Sequence, residues 1–151
     1  MQESNLNEIL EVNQNHIVLL LYDLCGILPD EITNLLMLDP HSTGIKGESY
    51  KIGPPNKRIA KTHHYSFWEY EWKDKSNDSI GDLIEKFIKE IIIPKKDLLK
   101  RLISKCKIQL KIVQYYYDGC NPGYHFNEQV ISILSELQAS IDLDVYCLSD
   151  E

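Results

Sequence analysis

Tyr65-Ser66-Phe67-Trp68-Glu69-Tyr70-Glu71-Trp72 packs five aromatic rings into eight residues and holds both tryptophans of the chain. Read with the two-residue period of a strand, Trp68, Tyr70 and Trp72 share one face, and Tyr65, Phe67, Glu69 and Glu71 share the other. Rings alone can line a core, whereas ionised glutamates must meet water or a cation. The stretch therefore predicts a strand in a sheet with one dry face and one wet, acidic and aromatic face. Periodicity does not decide which set of rings is buried, so residues of both faces enter the candidate surface described below.

Working outward, residues 16–24 form an apolar run of strand length suited to a central strand. Pro29, Asp30 and Glu31 read as a helix start, with Ile32, Leu35 and Leu36 as its buried stripe and Asp39-Pro40 as its end. The turn-rich stretch 41–58 has room for one short strand around residues 48–52. Ile80, Leu83, Ile84, Phe87, Ile88 and Ile91 mark one helix face, and Leu98, Leu99, Leu102 and Ile103 mark a second helix with Pro94 in its first turn. Residues 107–117 alternate as a strand, and 118–123 read as a turn. Phe126, Val130, Ile133, Leu134 and Leu137 mark a last helix, with Asn127 as its cap. Residues 141–146 give the cleanest apolar/polar alternation. The order β-α-β-β-α-β followed by α-β predicts an α+β fold: a ferredoxin-like antiparallel sheet, helices on one face, and an additional C-terminal α-β unit beside the fourth strand.

At 151 residues the chain suits one domain, a polar segment 1–15 followed by a single α+β unit 16–151. The net charge of −7 is uneven: residues 80–111 carry +5, and the residues after Lys111 carry seven acids and no Lys or Arg. An acidic total argues against nonspecific nucleic-acid binding, which needs surplus cations on the contact surface. The longest apolar run, residues 17–22, is too short to cross a bilayer, so no membrane partner is expected. Cys25, Cys106, Cys120 and Cys147 lack a Cys-x-x-Cys pair, and the polar start lacks a secretory signal; reduced thiols in a cytoplasmic protein are the expectation. Lys105 and Lys107 flank Cys106, a setting that can lower a thiol pKa.

Several short motifs occur together: Leu38-Asp39-Pro40, then Lys46-Gly47-Glu48, the tryptophan strand Ser66-Phe67-Trp68-Glu69-Tyr70, the helix pair around Pro94, and the ending Ala139-Ser140-Ile141-Asp142-Leu143-Asp144-Val145-Tyr146. In this order and spacing they resemble the bacterial family filed as domain of unknown function 4279, over roughly residues 16–148. The resemblance implies no established activity and no cofactor. Some relatives are suspected of serving as immunity or accessory proteins near toxin genes, so it implies a protein partner, of the toxin sort, for an immunity-type protein.

The candidate chemistry is sparse. Lys46, Gly47, Lys51 and Arg58 form a weak anion-binding candidate, but no Walker spacing is present. His63 and His64 are adjacent and would point to opposite faces, and no metal-ligand spacing appears, so no metal is expected. Glu69, Glu71, Asp142 and Asp144 could serve a carboxylate-based hydrolase only at catalytic separation in a cleft; catalytic residues are not assigned, and an enzyme is not the favoured class. The favoured reading is a non-enzymatic interaction module for a basic protein. Its partner-facing residues are Trp68, Tyr70, Glu69, Glu71, Tyr115, Tyr117, Asp142, Asp144 and Tyr146. The alternative is a small-ligand or anion-binding module, which needs a concave pocket.

Overall fold

The run His16–Leu21 belongs to the central strand of a five-stranded sheet, β1 (Gln14–Tyr22), in which five consecutive residues from Ile17 to Leu21 are buried. A computed structural model of the chain describes residues 14–72, 79–117 and 123–148. Most of the predicted polar segment and of the turn at 118–123 lies outside those residues, as do Cys120 and the side chain of Tyr117.

The aromatic stretch supplies β5 (Phe67–Trp72), antiparallel to β1 with Leu19 opposite Tyr70 and Leu20 opposite Glu69. On the other side β1 pairs antiparallel with β6 (Lys107–Tyr117), Leu20 facing Gln109 and Val18 facing Lys111. β7 (Ser140–Leu148) runs parallel to β6, and β2 (Ser42–Gly44) closes the opposite edge, giving the order β2-β5-β1-β6-β7. The C-terminal helix and strand thus extend the sheet beside the strand 107–117, as the sequence suggested.

One face of this sheet is dry. Ile17, Leu19, Leu21, Trp68, Trp72, Ile108, Leu110 and Ile112 pack in one cluster with helix residues such as Ile32, Leu36, Phe87, Leu99 and Leu134. Three of the helices owe their starts to local devices. In α1 (Pro29–Leu36) Pro29 opens the first turn, and the Leu28 amide donates to Glu31 Oε2 at 2.7 Å. For α2 (Ile80–Phe87) the Ser79 hydroxyl accepts from the Asp82 amide, and for α4 (Glu128–Glu136) Asn127 Oδ1 accepts from the Val130 amide at 2.9 Å.

The predicted break at Pro94 is gentler than two separate helices. The chain widens into a π-turn over Ile88–Ile92, tightens into a 3-10 turn over Ile93–Lys95, and continues as α3 (Lys96–Leu102). Proline has no N–H to give and its ring crowds the carbonyl four residues back, so a wider turn before it absorbs the mismatch.

Two expectations need correction. The strand near 48–52 exists as β3 (Ser49–Ile52), but it lies outside the main sheet and pairs with β4 (Ile59–Thr62) as a separate two-stranded ribbon. The short β2 takes the edge place beside β5, where Gly44 approaches the Phe67 and His63 rings closely. A Cβ on Gly44 would overlap the Phe67 ring and come within 2.9 Å of His63. Second, Trp68 and Tyr70, expected among the partner-facing residues, lie on the helix side of β5. Trp68 is fully buried, its Nε1 donating to Thr33 Oγ1 of α1 at 3.0 Å. Tyr70 is half-buried against the core with its ring stacked beside that indole, and burial raises its phenol pKa. Indole and phenol rings bury more apolar area than glutamates can, so the ring-only face goes inward.

Candidate interaction surface

Registers place the residues of the second face in rows across the strands. Gly44, Phe67, Tyr22 and Lys107 form one row; Ser42, Glu69, Leu20, Gln109 and Ser140 the next; then Glu71, Val18, Lys111 and Asp142. Beyond them come His16, Val113 and Asp144, and last Gln14, Tyr115 and Tyr146. Among the described residues the helical core residues cluster on the opposite face.

The middle of this face is closed by its own charges. Lys111 reaches across β1 to Glu69, Nζ to Oε1 at 3.2 Å, and its aliphatic stem lies in the row of Val18. His41 Nε2 sits 3.4 Å from the second oxygen of Glu69, and His16 Nδ1 contacts Glu71 Oε1. Val18 and Leu20 are buried on this side too, under those polar neighbours rather than under a helix. Glu69 therefore has a lysine partner already, and each glutamate has a histidine contact. The sequence places them on the open face, but three partners were not anticipated: Lys111, His16 and His41. Only Lys111 left a legible trace, in the alternation of β6.

The two ends of the face are aromatic. Tyr22, Tyr65, Phe67, His63 and Tyr50 form a chain of ring contacts, with Tyr50 stacked on His63 at 4.2 Å. Lys107 lies over the Tyr22 ring and pairs with Asp23 at 3.1 Å, which raises its pKa. At the far end Tyr115 stacks on Tyr146 at 5.0 Å, and His16 meets Tyr115 edge-on. Tyr146 is 47 % exposed. Asp142 and Asp144 are exposed on the same face of β7, and their carboxylates make no ion pair or hydrogen bond among the described residues. Every residue of β7 is exposed, including Ile141, Leu143 and Val145, which point to the helix side beside Leu110, Ile112 and Gln114. The strand is an edge, so its outer backbone groups have no ladder partner among the described residues.

The structure thus brings Tyr115, Tyr146, Asp142 and Asp144 together on β6 and β7. It holds Glu69 and Glu71 apart from them, on β5, two strands further in. Glu71 and Asp142 share a row but are separated by β1 and β6, about 14 Å at normal strand spacing. That exceeds the roughly 5–9.5 Å of paired glycosidase carboxylates, so these two pairs cannot act as one hydrolytic site. Among the described residues no three His, Cys, Asp or Glu side chains converge as metal ligands.

The anion candidate loses its donors. The amide of Lys46 donates to Ser66 Oγ at 2.9 Å, that of Gly47 to the His63 carbonyl and that of Glu48 to the Ile45 carbonyl, each at 3.0 Å. Lys51 and Arg58 stand out along the exposed ribbon instead of closing on Gly47. An open recess on the outer side of α4, lined by Glu128, Ile131, Ser132, Ser135 and Glu136, contains none of the expected residues. The thiol of Cys106 donates to the Leu102 carbonyl at 3.3 Å, and burial pushes its pKa up to about 11, so burial outweighs the flanking lysines. Gln114, the one buried polar residue among the described residues, accepts from the Tyr124 hydroxyl, a pairing that neither residue's sequence context announces.

A family model described as domain of unknown function (DUF4279) matches residues 15–148, nearly all of the described chain. The chain belongs to the DUF4279 family. No curated protein and no solved structure matches it. The DUF4279 match spans β1 through β7 and so includes both the acidic edge and the ribbon.

Proposed function

We propose that this DUF4279 protein is a non-enzymatic interaction module of bacterial cytoplasm, immunity-type in role, which docks a basic protein on the β6–β7 end of its open sheet face. One observation carries the reading. The edge strand β7 presents Asp142 and Asp144, unpaired among the described residues, beside the Tyr115 ring stacked on the exposed Tyr146, with apolar Ile141, Leu143 and Val145 on its other side. Unpaired carboxylates steer a cationic partner, stacked tyrosines give rigid contact area, and an open edge accepts a partner's extended backbone. The central pairs of Glu69 and Glu71 hold the platform's shape and leave the docking charge to β7. The strand order supports a ferredoxin-like reading of the four strands β2, β5, β1 and β6, with the α4–β7 unit as an addition that builds the docking edge.

The test is capture from the native host with wild-type protein and with the charge-reversed Asp142→Lys/Asp144→Lys variant, followed by titration of the captured protein. A basic partner held by the first bait and lost from the second, with affinity falling as salt rises, supports the proposal. An identical set of proteins on both baits refutes it.

A further inference from the structure

The ribbon at the other edge of the sheet has the opposite character. Between Ile45 and Thr62 the chain carries Lys46, Lys51, Lys57, Arg58 and Lys61 against Glu48 alone, a net +4 on a chain whose total is −7. All residues from 51 to 62 are exposed, so the ribbon stands away from the body. Its tip is a tight turn: Gly53 takes φ 101°, where an added Cβ would meet the Lys57 carbonyl oxygen at 2.8 Å, and the Lys57 amide closes the turn onto the Pro54 carbonyl at 2.9 Å. Just below that turn Ile52 and Ile59 face each other across the ribbon, 38 % and 63 % exposed, on the same side as Tyr50. The tip therefore combines two prolines, two solvent-facing isoleucines and a collar of cations.

We propose that the β3–β4 ribbon is a membrane-docking arm: Ile52, Ile59 and the Pro54-Pro55 turn enter the headgroup region of an anionic bilayer while Lys51, Lys57, Arg58 and Lys61 meet lipid phosphates and carboxylates. A protein partner would need a pocket shaped to a convex, protruding tip, whereas a fluid lipid surface closes around it. Membrane attachment strengthens with buried apolar area and with attraction to anionic lipid, and this tip offers both. A nucleic-acid duplex fits less well. Gripped by so short an arm, it would be drawn along a body that carries the chain's surplus of carboxylates, while a bilayer need touch the tip alone. The arm sits at the β2 side and the acidic edge at β7, so this inference stands or falls separately from the docking of a basic protein.

The full chain is sedimented with phosphatidylcholine vesicles and with vesicles containing about 30 % phosphatidylserine, at low and physiological salt. The expected result is binding to the anionic vesicles only, weakened by salt. Lys57→Gln/Arg58→Gln should weaken it about 25-fold, at roughly fivefold per cation removed. Ile52→Ser/Ile59→Ser should weaken it about tenfold with the charge untouched. All four side chains are exposed, and circular dichroism verifies that each variant is folded. Absence of binding to anionic vesicles overturns the proposal, as does binding that survives both double substitutions. Retention on a short DNA duplex without retention on vesicles reassigns the arm to nucleic acid and equally overturns it.

Discussion

Replacing Trp68 by alanine probes which face of the sheet is covered. The indole is fully buried and its N–H is bound to Thr33 of α1, so truncation opens a large cavity between β5 and α1 and breaks a hydrogen bond joining them. Buried tryptophan-to-alanine changes cost about 3–5 kcal/mol. For a chain of this size about 2–4 °C of melting temperature accompanies each kcal/mol, so the midpoint should fall by about 6–20 °C. The adjacent Glu69 is the internal control. Its partly exposed pairs with Lys111 and His41 are worth at most about 1 kcal/mol together, so Glu69→Gln should shift the midpoint by only a few degrees. Both variants are measured by thermal denaturation followed through tryptophan fluorescence and far-ultraviolet dichroism. If Trp68→Ala cost less than Glu69→Gln, the indole would lie on the open face and the assignment of faces would be reversed.

Lys111→Met keeps the stem over Val18 and should cost about 1 kcal/mol or less, while Lys111→Ala uncovers apolar surface and should cost more, a ranking read from denaturation midpoints. Tyr124→Phe leaves the buried Gln114 amide without its donor and should cost about 1–3 kcal/mol, whereas the double variant Gln114→Leu/Tyr124→Phe should recover most of that loss; equal costs for the two would contradict the pairing. At pH 8 iodoacetamide should modify the exposed Cys25 and Cys147 well before Cys106, and a peptide map showing Cys106 labelled first would remove the burial argument. The raised pKa of Cys106 means that the folded state holds its proton more tightly than the unfolded chain. Its contribution to stability is therefore complete below the ordinary thiol value of 9.0 and lost as pH climbs toward about 11, and Cys106→Ala should flatten that part of the pH–stability curve.

The fold was legible where side-chain periodicity and burial agree. The run at β1 and the helix stripe from Ile80 place apolar residues at the spacing of one buried element, and Asn127 caps its helix, whereas the alternation of β7 gives the strand although all its residues are exposed. The ribbon was not legible, because Ile59-Ala60-Lys61-Thr62 carries little apolar alternation and its strand state depends on pairing with Ser49–Ile52 across a tight turn. Gly44 likewise reads as a loop glycine until Phe67 and His63 are seen above it. At the candidate surface, Asp142, Asp144 and Tyr146 followed from strand alternation, but Trp68 and Tyr70 required the choice of face, which two-residue periodicity alone cannot make. The pairing of Glu69 depends on register, since Lys111 lies 42 residues away in sequence and two strands away in space.

Amide hydrogen exchange along β7, resolved by NMR, measures the openness of the acidic edge most directly. An uncovered edge strand bonded on one side to β6 predicts alternation from Ser140 to Leu148, with inward amides slow and outward amides exchanging almost as in an unfolded chain, and slowing of the outward set when the captured basic partner is added. Uniformly slow exchange along β7 in the free protein would mean that the edge is already occupied, and the docking account would then be wrong.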